Sequence, residues 1–163
     1  MALILDTSAV IGWVERRNQN VIEALAATER LPVISIVTLG ELFQGVESAR
    51  YANDAAALTI RQRTLSLAQR RLPRVGVDES DAKMFGRLSA ALSRTVSHNG
   101  RWIATVQHRM ARAGEHRSTS PVDLIIAATA AHHGLTVLHD DADYRTVARH
   151  APDFSEHNIR DVG

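Results

Sequence analysis

The sequence predicts an α/β protein with a mostly parallel central sheet flanked by helices on both faces. Short apolar runs rich in β-branched residues alternate along the chain with segments whose apolar residues recur at helical spacing. Strands that alternate with helices in this way are typical of parallel sheets. The 163 residues contain no repeat, low-complexity tract or linker-like change of composition, so a single domain is expected over residues 1–163.

The first third of the chain contains two predicted strands, each followed by helical segments. Residues 2–5 form a short apolar run that is typical of a buried strand. Thr7 or Ser8 is suited to cap the helix that follows. A second short helix is predicted over 20–29, and a proline separates it from a β-branched strand over 33–37.

The middle of the chain is predominantly helical. Ser35 or Thr38 leads into the first helix of this part, and Pro73 ends the second. The predicted elements are, in order, helices over 39–49 and 54–72, a short strand over 75–77 and a helix over 78–92.

The last third begins with a polar stretch, 93–119, which is rich in histidine and arginine. It keeps some helical spacing, and we interpret it as a helical insertion. Ser120 and Pro121 then start a helix that Gly134 ends. The remaining predicted elements are a core strand over 135–138, a helix over 144–150 and an edge strand in the tail.

Composition excludes several classes of protein. The chain has no cysteine, which rules out disulfides, thiolate metal sites and cysteine nucleophiles. It has neither an apolar run long enough to cross a bilayer nor a basic, signal-like N-terminus, so a cytoplasmic location away from membranes is expected. The net charge of +1 carries little information.

Acidic side chains follow the predicted strands at the points where the chain enters helices. Carboxyl ends of parallel strands share one edge of the sheet, and sites form there. We expect four element ends to meet at this edge. The acids at these ends are Asp6 after the first strand, Glu41 and Asp123 in the first turns of two helices, Asp140 and Asp141 after the last core strand, and Asp143 just beyond.

Each of these acids also has an ordinary explanation. The helix dipole favours Glu41 and Asp123 in a first turn, Asp6 could cap the backbone, and residues 139–141 could form a solvated loop. Taken together, closely placed carboxylates repel one another, and a divalent cation would relieve that repulsion. Oxygen ligands without cysteine favour Mg²⁺ or Mn²⁺ over zinc.

Four segments carry these acids: "LILDTSAVI", "TLGELFQGV", "SPVDLIIAATAAHHG" and "TVLHDDADYRTVA". In this order they resemble the acidic motifs of PIN-domain nucleases, and their spacing is similar to that of VapC-type toxins of bacterial toxin–antitoxin pairs. The resemblance covers residues 2–150. It implies a PIN-like α/β/α sandwich and Mg²⁺- or Mn²⁺-dependent endoribonuclease activity, with a homodimer and a small antitoxin as partners.

The resemblance also matches the acids to motif positions. Asp6, Glu41 and Asp123 match the acids of the first three motifs. Asp141 matches the fourth acid best, with Asp140 as the alternative if the register shifts by one, and Asp143 is a possible additional ligand or a group that supports the ligands. We assign Asp6 and Asp123 as the principal metal ligands, directly or through water, and Glu41 would orient the attacking water or hold the hydration shell of the metal. Two features depart from the family: the 93–119 insertion, and a tyrosine at 144 where phenylalanine is common.

An acidic centre repels RNA, so binding requires basic flanks. Two arginine clusters could supply them, or could simply form solvated helix faces. The clusters are Arg61, Arg63, Arg70, Arg71 and Arg74, and Arg101, Arg109, Arg112 and Arg117 with three nearby histidines. His132 and His133 are expected to decorate a helix C-terminus.

Competing classes fit less well. A haloacid-dehalogenase-type phosphatase needs a second aspartate where Ser8 stands, and the glycine signatures of serine hydrolases and dinucleotide-binding domains are missing. A PIN-like module that binds RNA or a partner without cutting, and a PIN nuclease of RNA processing, are the alternatives that stay open.

Overall fold

The computed structural model of the chain describes residues 1–94 and 120–161. Within these ranges it contains five strands and seven helices. The strands are β1 (Leu3–Leu5), β2 (Val33–Ser35), β3 (Arg74–Val75), β4 (Thr136–His139) and β5 (Ser155–Asn158). The helices are α1 (Thr7–Val14), α2 (Gln19–Ala26), α3 (Ile36–Tyr51), α4 (Ala55–Arg71), α5 (Glu79–Arg94), α6 (Pro121–His133) and α7 (Asp143–His150).

The five strands form one all-parallel sheet in the order β3-β2-β1-β4-β5. From β1 the chain builds the sheet outward through β2 and β3, and it then returns to add β4 and β5 on the other side. The strand order therefore reverses between β1 and β4. In open parallel sheets the crevice at such a reversal is the usual place for a site.

Helices cover both faces of the sheet and give two separate cores. Leu3 and Leu5 of β1 pack with helices α1 to α4 on one face. Ile4, between them, points to the other face, where α5, α6 and α7 pack. This alternation follows from the two-residue period of a strand, and it confirms the predicted α/β/α sandwich with a parallel central sheet.

Most element boundaries agree with the prediction, but the second strand and third helix do not. The β-branched run ends as a strand at Ser35, and α3 begins at Ile36 instead of Leu39. The Ser35 side chain accepts a hydrogen bond from the Val37 backbone N–H (3.1 Å), which starts the helix early. Capping here outweighs the β preference of the residues that follow.

The other differences are small. Strand β3 is Arg74–Val75 instead of 75–77, and Asp78 caps α5 from outside the helix. The tail does add an edge strand, β5, parallel to β4. Apart from its first two residues, which lie in α5, the predicted 93–119 insertion falls outside the described residues. No helix in the described ranges is long and apolar enough to cross a membrane.

Candidate active site

Three of the predicted acids, those of the first and last motifs, lie at the carboxyl ends of β1 and β4, where the strand order reverses. Asp6 directly follows β1, and its backbone N–H donates to the carbonyl of Leu138 in β4 (3.1 Å). Asp140 and Asp141 directly follow β4. The topology thus brings the first and last acidic motifs to the same crevice.

Asp6 is buried, with 6% of its surface exposed, and both of its carboxylate oxygens accept hydrogen bonds. Oδ2 accepts from the backbone N–H of Ser8 (3.2 Å) and from its hydroxyl (2.6 Å), while Oδ1 accepts from the Tyr144 hydroxyl (3.1 Å). Asp6 is therefore the N-cap of α1. The expectation that Thr7 or Ser8 caps this helix is wrong, because the carboxylate one position earlier already reaches the free backbone N–H.

The two hydroxyl residues after Asp6 connect the motifs. The Ser8 hydroxyl, which donates to Asp6, accepts a hydrogen bond from the backbone N–H of Asp140 (3.0 Å). The Thr7 hydroxyl donates to Oε2 of Glu41 across the crevice (2.5 Å). Thr7 and Ser8 therefore hold three acidic segments in one arrangement.

Glu41 lies in the second turn of α3. The prediction of a first-turn position is wrong because α3 begins early, at Ile36. Partial burial raises the pKa of Glu41, and the negative charge of Asp6 raises it further, while the hydrogen bond from Thr7 acts in the opposite direction. The helix dipole therefore explains Glu41 less well than the sequence suggested, since that effect fades beyond the first turn.

Asp123 lies in the first turn of α6, which Ser120 caps and Pro121 begins. Burial is the main factor that raises its pKa, which reaches about 7. The remaining increase comes from the negative charges of four other acids: Asp6, Asp141, Asp143 and Glu41. Four carboxylates therefore lie close enough to Asp123 to disfavour its ionisation.

Asp140 and Asp141, the two alternatives for the fourth acid, have different surroundings. Asp140 forms an ion pair with the exposed side chain of Arg160. Asp141 and Asp143 instead act on Asp123, and the Asp141 side chain accepts a hydrogen bond from the Asp143 backbone N–H (3.0 Å). The crevice thus contains Asp141 and Asp143, and Asp140 contributes its backbone.

Sequence reasoning missed the support behind this loop. His139 is fully buried, so residues 139–141 are not the solvated loop considered above. Its Nδ1 accepts from the Asp141 backbone N–H (3.1 Å), and its Nε2 pairs with Glu156 of β5 (2.7 Å). The Asn158 side chain also donates to the carbonyl of Asp141 (3.3 Å). These contacts depend on strand pairing, which no sequence signal reveals.

The donor set fits a hard divalent cation. Among the residues that the structure describes, no lysine, arginine or histidine forms an ion pair with Asp6, Glu41, Asp123 or Asp141. Within the described ranges, no direct ion pair therefore offsets the charge of these four carboxylates, and the charge of Arg160 interacts with that of Asp141 at longer range. A site whose protein donors are all carboxylate oxygens suits Mg²⁺ or Mn²⁺.

Two surface features lie on the α1–α4 face. Arg63, Arg70, Arg71 and Arg74 are exposed, whereas Arg61 donates to the carbonyl of Gly45 (2.6 Å). The second predicted arginine cluster lies outside the described residues. An open apolar cleft of about 570 Å³ lies between α1, α2 and α4, lined by Trp13, Ile22, Leu25, Ala26, Leu31, Pro32, Leu67, Arg71 and Leu72.

Comparison with known proteins gives a family match and several relatives. The family model described as "PIN domain" matches residues 3–150. The chain is 60% identical over 54 residues to ribonuclease VapC6 of Mycobacterium tuberculosis and 46% identical over 49 residues to ribonuclease VapC21 of the same species. These matches cover 33% and 29% of this chain. The chain aligns with less than half of either relative, 42% and 36% respectively.

Solved structures are similar over nearly the whole chain. VapBC-5 from M. tuberculosis, a member of the VapBC family of toxin–antitoxin systems, has a TM-score of 0.61 at 27% identity and covers 96% of this chain and 98% of its own. VapBC2 from Rickettsia felis, bound to a promoter DNA fragment, has a TM-score of 0.67 at 18% identity, with 97% and 98% covered. At that lower identity the likeness extends to the fold alone.

Proposed function

The chain belongs to the PIN domain family, and from this membership and its converging carboxylates we propose that it is a metal-dependent endoribonuclease, the toxin of a type II toxin–antitoxin system. One observation carries the proposal. Asp123 has a pKa of about 7 because burial and four neighbouring acids oppose its ionisation, and no described cation offsets them. A bound divalent cation would supply the missing positive charge.

The proposed cation ligands are Asp6, Asp123 and Asp141, with Asp143 as an additional ligand. Mg²⁺ is the expected ion, and Mn²⁺ the expected substitute. Such an ion, when bound, lowers the pKa of water and stabilises charge on a phosphate undergoing attack. Ser8 and Tyr144 hold the Asp6 carboxylate in one orientation, since each donates a hydrogen bond to one of its two oxygens.

Glu41 is the proposed general base. A water oxygen attacks the phosphorus of an RNA phosphodiester, and the water proton passes to Glu41. The bond from phosphorus to the leaving oxygen breaks, and that oxygen keeps the electron pair and takes a proton from solvent to leave as a hydroxyl group. The raised pKa of Glu41 suits this role, because a carboxylate accepts a proton more readily as its pKa approaches the working pH. Thr7 holds the side chain in position through its hydrogen bond.

The exposed arginines of α4 and β3 are the proposed electrostatic flank for RNA. Arg63, Arg70 and Arg71 project from one helix into solvent, and Arg74 follows. Arginine binds phosphate well because of its planar, forked donors. Arg70, Arg71 and Arg74 lie where α4 leads into the amino end of β3, so they would bind RNA phosphates at a distance from the acidic crevice.

The proposed partners are a cognate antitoxin and a second copy of the chain, and the proposed location is the cytoplasm. The relatives named ribonuclease VapC and the solved VapBC complexes support the antitoxin. Its proposed docking place is the apolar cleft, where Leu31 is 73% and Ile22 38% exposed. We also propose that residues 1–163, including the 93–119 insertion, form a single nuclease domain.

The test is RNA cleavage by the purified chain with Mg²⁺ or Mn²⁺ and with EDTA. Cleavage should require the cation, and Asp6→Asn should reduce it at least about 100-fold, the upper range for disturbed metal sites. Asparagine remains a good N-cap, so α1 should survive this change. Asp54→Asn is the matched control, because Asp54 caps α4 away from the crevice. RNA binding without cleavage would favour the non-cutting module, and full activity of Asp6→Asn would refute the site.

A further inference from the structure

We propose that Asp81, His132 and His133 form a second cation site, suited to a transition-metal ion such as Zn²⁺, between the start of α5 and the end of α6. Asp123 and the histidines lie at opposite ends of α6, so this site is separate from the acidic crevice. The inference does not depend on the proposed nuclease activity.

The three side chains already have the spacing of metal ligands. Oδ1 of Asp81 lies 2.9 Å from Nδ1 of His132 and 3.8 Å from Nε2 of His133. One ligand atom from each residue lies within 4.8 Å of the other two. Zinc bonds of about 2.0–2.1 Å in a tetrahedral arrangement hold ligand atoms roughly 3.3 Å apart. Small side-chain adjustments would therefore complete the geometry.

Asp81 is fixed in place before any ion binds. It is 1% exposed, and its Oδ2 accepts a hydrogen bond from the Asp78 backbone N–H (2.9 Å). Asp78 in turn accepts from the Asp81 backbone N–H (3.0 Å), so the two residues form a reciprocal cap of α5. The cap uses Oδ2 and leaves Oδ1 directed at the imidazoles.

The histidines leave a path for an ion to enter. Their side chains are 31% and 38% exposed, and their rings lie 4.4 Å apart. Both lie in the last turn of α6, where backbone carbonyls favour positive charge, and Gly134 ends the helix with a left-handed φ of 63°. Two imidazole nitrogens with one carboxylate oxygen suit Zn²⁺ better than Mg²⁺.

An ordinary ion pair explains only part of this arrangement. One imidazole is enough to pair with Asp81, and His132 does so at hydrogen-bonding distance. His133 lies beyond that distance, with its Nε2 3.8 Å from the same oxygen. The arrangement therefore presents two imidazoles to one buried carboxylate oxygen, which is more than one ion pair needs.

The experiment is a calorimetric titration of Zn²⁺ into the full chain carrying Asp123→Asn, which weakens cation binding in the acidic crevice. One equivalent should bind, and His132→Gln or His133→Gln should each weaken binding at least about 10-fold. Glutamine is uncharged and of similar size, so the helix should be retained. Co²⁺ bound at the same site should give the intense visible bands of tetrahedral coordination, and these should disappear in the same two variants.

Two controls make the result specific. His150→Gln changes a histidine in the last turn of α7 and should leave Zn²⁺ binding unchanged. Replacing His98, His108 and His116 by glutamine should also leave it unchanged. The proposal fails if the chain does not bind Zn²⁺, if the His132 and His133 variants bind like their parent, or if binding disappears in the triple variant.

Discussion

An aspartate lies at each end of α6, and the two have opposite surroundings. Asp123 belongs to α6 itself, and Asp81 of α5 packs against the other end. At the C-terminal end, Asp81 is almost fully buried, and its carboxylate lies beside the imidazoles of His132 and His133 and accepts a hydrogen bond from the Asp78 backbone N–H. At the N-terminal end, Asp123 meets four further acids, and its pKa rises to about 7. Imidazoles and a backbone N–H thus surround the aspartate at one end of the helix, whereas acids surround the aspartate at the other end.

Asp81 therefore contributes to the stability of the fold, whereas the crevice acids serve the proposed function. Buried charges are tolerated when they are paired, as Asp81 is. A cluster of acids opposes folding, because burial and mutual repulsion both disfavour ionised carboxylates. The crevice therefore has the character of a site that an external cation completes, whereas the Asp81 end is stable without one.

The largest expected effect comes from the same substitution at both ends. Asp123→Asn should reduce RNA cleavage at least about 100-fold and, without metal near pH 8, should stabilise the fold by about 1 kcal/mol, which is roughly 2–4 °C in melting temperature. Asp81→Asn should leave cleavage within a small factor and destabilise the fold by about 1–3 kcal/mol, because it weakens a buried pair. Thermal melts and cleavage assays measure both. Stability changes of the same sign would contradict the comparison.

A smaller effect is expected from Thr7→Val, which removes the hydroxyl bound to Glu41. That hydrogen bond lowers the pKa of Glu41, so its loss should raise the pKa further. A general base with a higher pKa loses its proton at higher pH, and the acid limb of the pH–rate profile should move to higher pH. Ser66→Ala, a hydroxyl removed from α4 outside the crevice, is the control. An unchanged acid limb would argue against Glu41 as the base.

The fold was predictable because its strands are distinct in sequence. Residues 2–5 and 135–138 are apolar runs bounded by turn residues, and their alternation with helices requires a parallel sheet. The α3 start was not predictable, since Ser35 competes with Thr38 as a cap and only packing decides between them. The edge of the sheet at which the acids meet was predictable, because the carboxyl ends of parallel strands share one edge.

The candidate site was predictable as a set of acids but not in its contacts. Asp6, Glu41 and Asp123 stand out because the sequence predicts each at an element end, which is where Asp6 and Asp123 lie. The support from His139 requires β4 and β5 to pair in a particular register, with His139 opposite Asn158. The Asp81–His132 contact joins residues 51 positions apart, with no periodic or motif signal to indicate it. Long-range contacts of this kind become visible only in the folded chain.

The melting temperature of the metal-free chain as a function of pH, with and without Mg²⁺, tests most directly whether the crevice awaits a cation. Between the ordinary Asp pKa of 3.8 and about 7, folded Asp123 holds a proton that the unfolded chain has released. Raising pH through this interval should therefore lower stability relative to Asp123→Asn. Mg²⁺ near pH 8 should restore it in the wild type and not in the variant. Identical pH curves for both proteins, with no Mg²⁺ effect, would contradict the account.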